Sequence, residues 1–202
     1  MKTVTGLFDT YEHAQQAVHA LKDAGVKSAD VSLIANSPED VGEEDDVVGK
    51  DLAAGAEVGA ALGGAGGLLA GLGVLAIPGL GPVLAGGWLV AAALGAVAGA
   101  GVGAATGGII GLLTSAGVPE SDAHVYAEGL RRGGALVTAR VLEDRVDTAL
   151  EILRNANGID IEDLRRVYEQ EGWEKFDENG PELTAEQIRC YRDRYPLVPP
   201  IV

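Results

Sequence analysis

The pattern of hydrophobic and polar positions divides the chain into stretches of different character. Residues 3–8, Thr-Val-Thr-Gly-Leu-Phe, are short and rich in β-formers, and Asp9-Thr10 after them is a good helix N-cap pair. Tyr11, Ala14, Val18 and Leu21 then fall on one helical stripe that ends at Gly25, and Val31-Ser-Leu-Ile-Ala35 reads as a second strand. The middle of the chain abandons this periodicity. No charged side chain occurs between Glu57 and Glu120, and Gly, Ala and aliphatic residues fill nearly all of those positions. From Pro119 the pattern resumes: a helix runs to Arg131-Arg132 and stops at Gly133-Gly134, and residues 135–142 alternate as a strand. Asp144 caps a further helix with the stripe Val146, Ala149, Leu150 and Leu153. Asn157-Gly158 makes a turn, and Ile159-Asp160-Ile161 reads as a short final strand.

Within the uncharged stretch glycine recurs every fourth residue, at Gly55, Gly59, Gly63, Gly67 and Gly71, and again at Gly87, Gly95, Gly99, Gly103, Gly107 and Gly111, with Ala91 in series. Glycine costs about 1 kcal/mol per residue in a helix relative to alanine. Spaced by four, however, it strips one helix face of side chains and lets two backbones touch. The spacing predicts an antiparallel helical hairpin, residues 52–77 and 83–116, turning at Pro78-Gly79-Leu80-Gly81-Pro82 and held by a glycine zipper.

Removing residues 36–134 leaves β-α-β followed by β-α-β, the order of a ferredoxin-like split βαβ domain. The expected class is therefore α+β. Residues 1–35 and 134–162 form the ferredoxin-like domain, with the hairpin (52–117) inserted between strands 2 and 3. An acidic linker (36–51) precedes the hairpin, a connecting helix (118–133) follows it, and a mostly helical tail (163–202) closes the chain. In the tail, residues 164–171 extend as a helix, and Thr184-Ala-Glu-Gln187 spells a capping box for another, through about Arg194. Residues 195–202, Tyr-Pro-Leu-Val-Pro-Pro-Ile-Val, favour an extended polyproline conformation. Trp173, Phe176, Tyr195 and Pro199 are the candidate docking residues of the tail.

Charge narrows the partners. A formal net charge of −15 over 202 residues leaves no basic stripe for phosphates, which excludes nucleic acid and argues against anionic lipid head groups. The single cysteine, Cys190, cannot close an intramolecular disulfide and suggests a reducing compartment. The opening Met-Lys-Thr-Val-Thr-Gly lacks the apolar run of a secretory signal, so a cytoplasmic location is expected, with the inner membrane as the alternative.

Candidate chemistry is sparse. His13 and His19 are six apart and do not share a helix face; His124 and Glu128 have a metal-compatible i, i+4 spacing but are too few as ligands, and read as a surface polar pair. Cys190 sits among Arg189, Arg192 and Arg194, which can lower a thiol pKa, but no histidine or second cysteine accompanies it. The glycines are followed by no Gly-Lys-Ser/Thr, so the phosphate-loop pattern is absent. No catalytic residue, cofactor or metal is expected, and the protein is read as a non-enzyme. An apolar surface of this extent needs a cover. The expected partner is a second copy of the chain, in a homo-oligomer with the hairpins at its core; the lipid bilayer is the alternative, and a small-molecule sensor built on the sheet is a third reading.

The run Val4-Thr-Gly-Leu-Phe-Asp-Thr-Tyr-Glu with Ala14, Ala17 and Leu21-Lys-Asp-Ala-Gly, the strand Val31-Ser-Leu-Ile-Ala, and the later Val125-Tyr-Ala-Glu-Gly-Leu-Arg-Arg-Gly-Gly-Ala-Leu-Val resemble the bacterial heat-induced stress protein YflT and general stress protein 17M-like family. The resemblance covers roughly residues 1–162. It implies a bacterial, stress-linked protein without an established enzymatic activity, and it supplies no catalytic residues.

Overall fold

The computed structural model describes residues 1–36, 73–91 and 108–194. Strand β1 (Lys2–Phe8) leads through Asp9-Thr10 into α1 (Tyr11–Asp23), where Thr10 caps the helix by accepting from the His13 N–H at 3.2 Å. Then come β2 (Val31–Ala35), β3 (Gly73–Ile77), β4 (Gly81–Gly87), α2 (Gly108–Ser115), α3 (Glu120–Arg131), β5 (Ala135–Val141), α4 (Val146–Asn155), α5 (Ile161–Gln170) and α6 (Ala185–Arg194). The strands form one antiparallel sheet in the order β1-β5-β2-β4-β3.

Strand β5 lies between β1 and β2, with Thr138 facing Thr5 on one side and Ser32 on the other. It is buried along nearly its whole length, as is β2, because helices cover both faces of the sheet. On the first face, the α1 stripe of Tyr11, Ala14, Ala17, Val18 and Leu21 joins Ala149 and Leu153 of α4 over Val4, Phe8, Leu33 and Val137. On the second face, Leu7, Ile34 and Leu136 meet Leu113 of α2, Val125 and Leu130 of α3, Leu164 and Tyr168 of α5, and Phe176.

Four expectations need correction. The central hairpin is not helical beside its turn: residues 73–77 and 83–87, assigned above to the facing ends of two helices, belong to the strands of the β3–β4 hairpin. Pro78 and Pro82 explain this, since a proline pushes the residue before it toward extended backbone and breaks a helix. Gly79 and Gly81 take positive φ (77° and 81°), and Leu80 N–H closes the turn onto Ile77 O at 3.0 Å. This part of the inserted segment therefore widens the sheet beside β2. At the far end, residues 159–161 are not a strand: Ile159 makes a single bridge to Leu7, and Ile161 already begins α5. The Asp160 carboxylate stops the strand by accepting from the N–H groups of Glu162 (2.9 Å) and Asp163 (3.1 Å), an N-cap that commits the chain to helix. Finally, Asp144 does not cap α4, because residues Glu143–Arg145 form a short 3₁₀ turn before it.

Gly87, counted above with the helix-packing glycines, is the last residue of β4 and has φ of 100°. A Cβ there would collide with Val31 O and lie 2.6 Å from Ser32 Cα. The close approach lets Ser32 Oγ donate to Gly86 O (2.7 Å) and accept from Leu89 N–H (3.3 Å), which turns the chain out of the sheet. Gly87→Ala is expected to cost about 2 kcal/mol from backbone strain and the lost approach, measured by urea unfolding.

Candidate functional site

The polar groups of the second face converge at the C-terminal end of α3. Helix α3 lays Ala123, Ala127 and Leu130 in the core, and the same turns carry Glu128 inward until it is only 4% exposed. A buried carboxylate needs compensation. Arg132 supplies it: its Nε donates to Glu128 Oε1 at 2.8 Å, and its Nη1 donates to Glu171 Oε2 at 2.7 Å, joining α3 to the end of α5. Arg131 Nη1 lies 3.5 Å from the second Glu128 oxygen, and Arg131 Nη2 donates to Pro181 O at 3.1 Å. From the other direction, Asn36 Nδ2 donates to Arg131 O at 3.3 Å, tying the end of β2 to the same place.

Aromatic rings complete the node. The Arg132 guanidinium stands 4.1 Å above the Tyr168 ring and 5.3 Å from the Tyr191 ring of α6. Tyr168 in turn meets Trp173 edge-on at 5.5 Å. Burial works against the charge on Arg132, but the hydrogen bonds to Glu128 and Glu171 outweigh it and hold its pKa above the ordinary value. Burial pushes the Tyr168 hydroxyl well above the usual tyrosine range, and burial with the nearby Asp122 carboxylate does the same to Tyr126.

Beyond α5, residues 173–182 run as a strap across the β3–β4 turn. Phe176 is 3% exposed, and its ring tip lies 2.9 Å from where a Gly79 side chain would begin. The carboxylate of Glu182 occupies the equivalent space over Gly81, and that of Glu178 the space over Gly108 at the start of α2. Between the strap, α2 and the first turns of α3 lies an open cleft of about 1090 Å³, lined by Ile110, Thr114 and Trp173 with Glu120, Glu174, Asp177, His124 and Lys175. The arrangement binds four segments into one unit. Among the described residues, no group of three or more His, Cys, Asp or Glu is placed to hold a metal ion.

The sequence-derived candidates fare unevenly. Gly55, Gly59, Gly63, Gly67, Gly71, Gly95, Gly99, Gly103 and Gly107 lie outside the described residues, as do Tyr195 and Pro199. Gly111 is helical, but a Cβ on it would meet nothing within 4 Å. Trp173 is half-buried against the core that encloses Phe176. Glu128, expected on the surface beside His124, is instead buried against the two arginines. His13 pairs with Asp9, Nδ1 to Oδ1, at 2.7 Å, and Cys190 is exposed. Sequence reasoning missed Glu128, Arg131, Arg132 and Tyr168 as a set. The i, i+3 and i, i+4 spacing of Glu128 from the two arginines was a signal that burial makes strong.

Two outcomes follow. Glu128→Ala leaves Arg132 buried without its main partner and is expected to lower unfolding stability by about 3 kcal/mol in urea denaturation. Because Tyr126 and Tyr168 are held neutral in the fold, the unfolded chain loses their protons first. Stability is full below the ordinary tyrosine pKa of about 10 and falls as pH rises beyond it. Replacing both tyrosines by phenylalanine should flatten that fall in an alkaline unfolding series.

Against known proteins, no curated protein and no solved structure matches the chain. Residues 3–74, the span that opens with β1, α1 and β2, match the family model of the heat induced stress protein YflT domain.

Proposed function

We propose that this is a stress-associated protein that acts without catalysis, by binding copies of itself through its central region. The observation that carries this reading is the uncharged sequence at residues 58–119: the fold buries Ile77, Val83, Leu89, Ile109 and Leu113 from it, and the glycine-rich remainder is apolar sequence whose surface water alone does not satisfy in a chain of net charge −15. The YflT match of residues 3–74 supports the stress association. The fold is read as ferredoxin-like: Ile159, β1, β5 and β2 stand side by side in the order of a split βαβ plan, with β4 and β3 added beyond β2. The recurrent glycines at Gly59, Gly63, Gly67 and at Gly95, Gly99, Gly103 support close helix pairing between or within copies. Membrane association is the competing cover for that surface; among the described residues no helix is long and apolar enough to cross a membrane.

The test is the mass of the native particle by light scattering without detergent. Wild type is expected as an oligomer, and Gly63→Leu with Gly99→Leu as a smaller species. A detergent-free monomer, or an oligomer indifferent to both substitutions, would overturn the zipper reading.

A further inference from the structure

We infer that residues 174–182 are a heat-released latch: on warming they lift as a unit while the sheet stays folded, and their lifting bares the apolar floor at the β3–β4 turn. The latch goes beyond the self-association reading and holds whatever covers the uncharged stretch.

The moving part is thinly fastened for its length. Among the described residues one hydrogen bond joins it to the body, Arg131 Nη2 donating to Pro181 O at 3.1 Å. The bonds from Asn179 N–H to Asp177 Oδ1 (2.9 Å) and from Gly180 N–H to Asp177 O (3.1 Å) stay inside it. Glu174, Lys175, Asp177, Asn179, Pro181 and Glu182 are exposed, and Phe176 is its one fully buried side chain. Both ends are hinged on fixed structure. Trp173 N–H donates to Tyr168 O at 3.0 Å at the end of α5, and Thr184 and Gln187 cap α6 on the other side.

The closed state also carries an unmet polar group. Glu178 Oε1 is buried over Gly108 with no hydrogen-bond partner, and among the described residues Glu174, Asp177, Glu178 and Glu182 stand in no ion pair. A buried carboxylate oxygen without a donor is costly, and lifting the strap returns it to water. Closure therefore rests chiefly on the Phe176 ring lying against Gly79, while hydration of Glu178 and the freed backbone favour opening. The entropic share of that balance grows with temperature. Segments with few buried contacts open locally before the global transition, whereas β5 is buried and paired on both sides. Opening strips the cover from the turn that carries Leu80 and from the first turn of α2 with Ile109, which share one core cluster with Phe176.

The sequence supplies a reporter. Trypsin cuts after Lys175, and to bind that bond it must draw the next residue, Phe176, out of its site. At low protease the rate of that cut follows the open population. The experiment digests the full chain at rising temperature, reads by mass the fragments that begin at residue 176, and follows far-ultraviolet circular dichroism and binding of an anilinonaphthalene sulfonate dye alongside. Wild type is expected to be cut, and to take up dye, while the circular dichroism is still native. Phe176→Ala should raise the cut rate about a hundredfold, normalised to peptides of residues 170–182 with the same sequences. Glu178→Met, which removes the unpartnered carboxylate, should lower it about fivefold. Cutting that begins only as the sheet melts overturns the latch, and so does a Glu178→Met protein cut as fast as wild type. Cutting without dye uptake overturns the baring of the floor. Should Phe176→Ala fail to fold, Phe176→Leu replaces it, with about tenfold faster cutting expected and an unchanged rate counting against the latch.

Discussion

Everything in this molecule depends on the two ladders of β5. Strands β1 and β2 run parallel to each other and never touch; only β5, antiparallel to both, makes them a sheet. Each of its inward residues is shared by two neighbours, so the α1 stripe and the α4 stripe have a common floor. The long connection between β2 and β5 is tolerable because loop-closure entropy grows only with the logarithm of length, about 0.6 kcal/mol per doubling. Its greater cost is kinetic, since distant pairings form slowly.

The second face shows how a two-layer plan becomes a three-layer one. A sheet with helices on one side would leave Leu7, Ile34 and Leu136 bare. The chain covers them from several directions, with α2 and α3 before β5, and α5 and the strap after it. The pieces differ in origin but are fastened at one place. Glu128, Arg131 and Arg132 reach β2, α5, the strap and α6 through Asn36, Glu171, Pro181 and Tyr191. The fit at the strap is steric as much as electrostatic, because Phe176 and two carboxylates fill the spaces that glycine leaves open.

How much of this was legible in the sequence depended on whether the signal was local. The β1-α1-β2 order, the α3–β5 junction at Gly133-Gly134 and the capping box of α6, where Thr184 and Gln187 bond reciprocally at 2.8 and 3.3 Å, are all written within a few residues. The turn at residues 78–82 was readable, but residues 73–77 and 83–87 on either side of it were misread as helix because a four-residue glycine period was carried up to two prolines whose local preference is opposite. Ile161 was misread because strand propensity and an Asp160 cap competed, and the cap prevailed. The α+β class was therefore readable, whereas the polar node was not. Its members lie far apart in sequence, and only burial turns an ordinary Glu-Arg spacing into a junction.

The central place of β5 also has a bearing on synthesis. A nascent chain that has released β1, α1 and β2 holds two strands that cannot pair with each other, and the strand that joins them emerges about a hundred residues later, roughly 5–20 s at ordinary ribosome speeds. In that interval Ile77, Val83, Leu89 and Leu113 leave the ribosome before the sheet that buries them is complete. For this protein the vulnerable moment falls during translation, when a chaperone or a neighbouring nascent copy can reach residues that the finished sheet will hide.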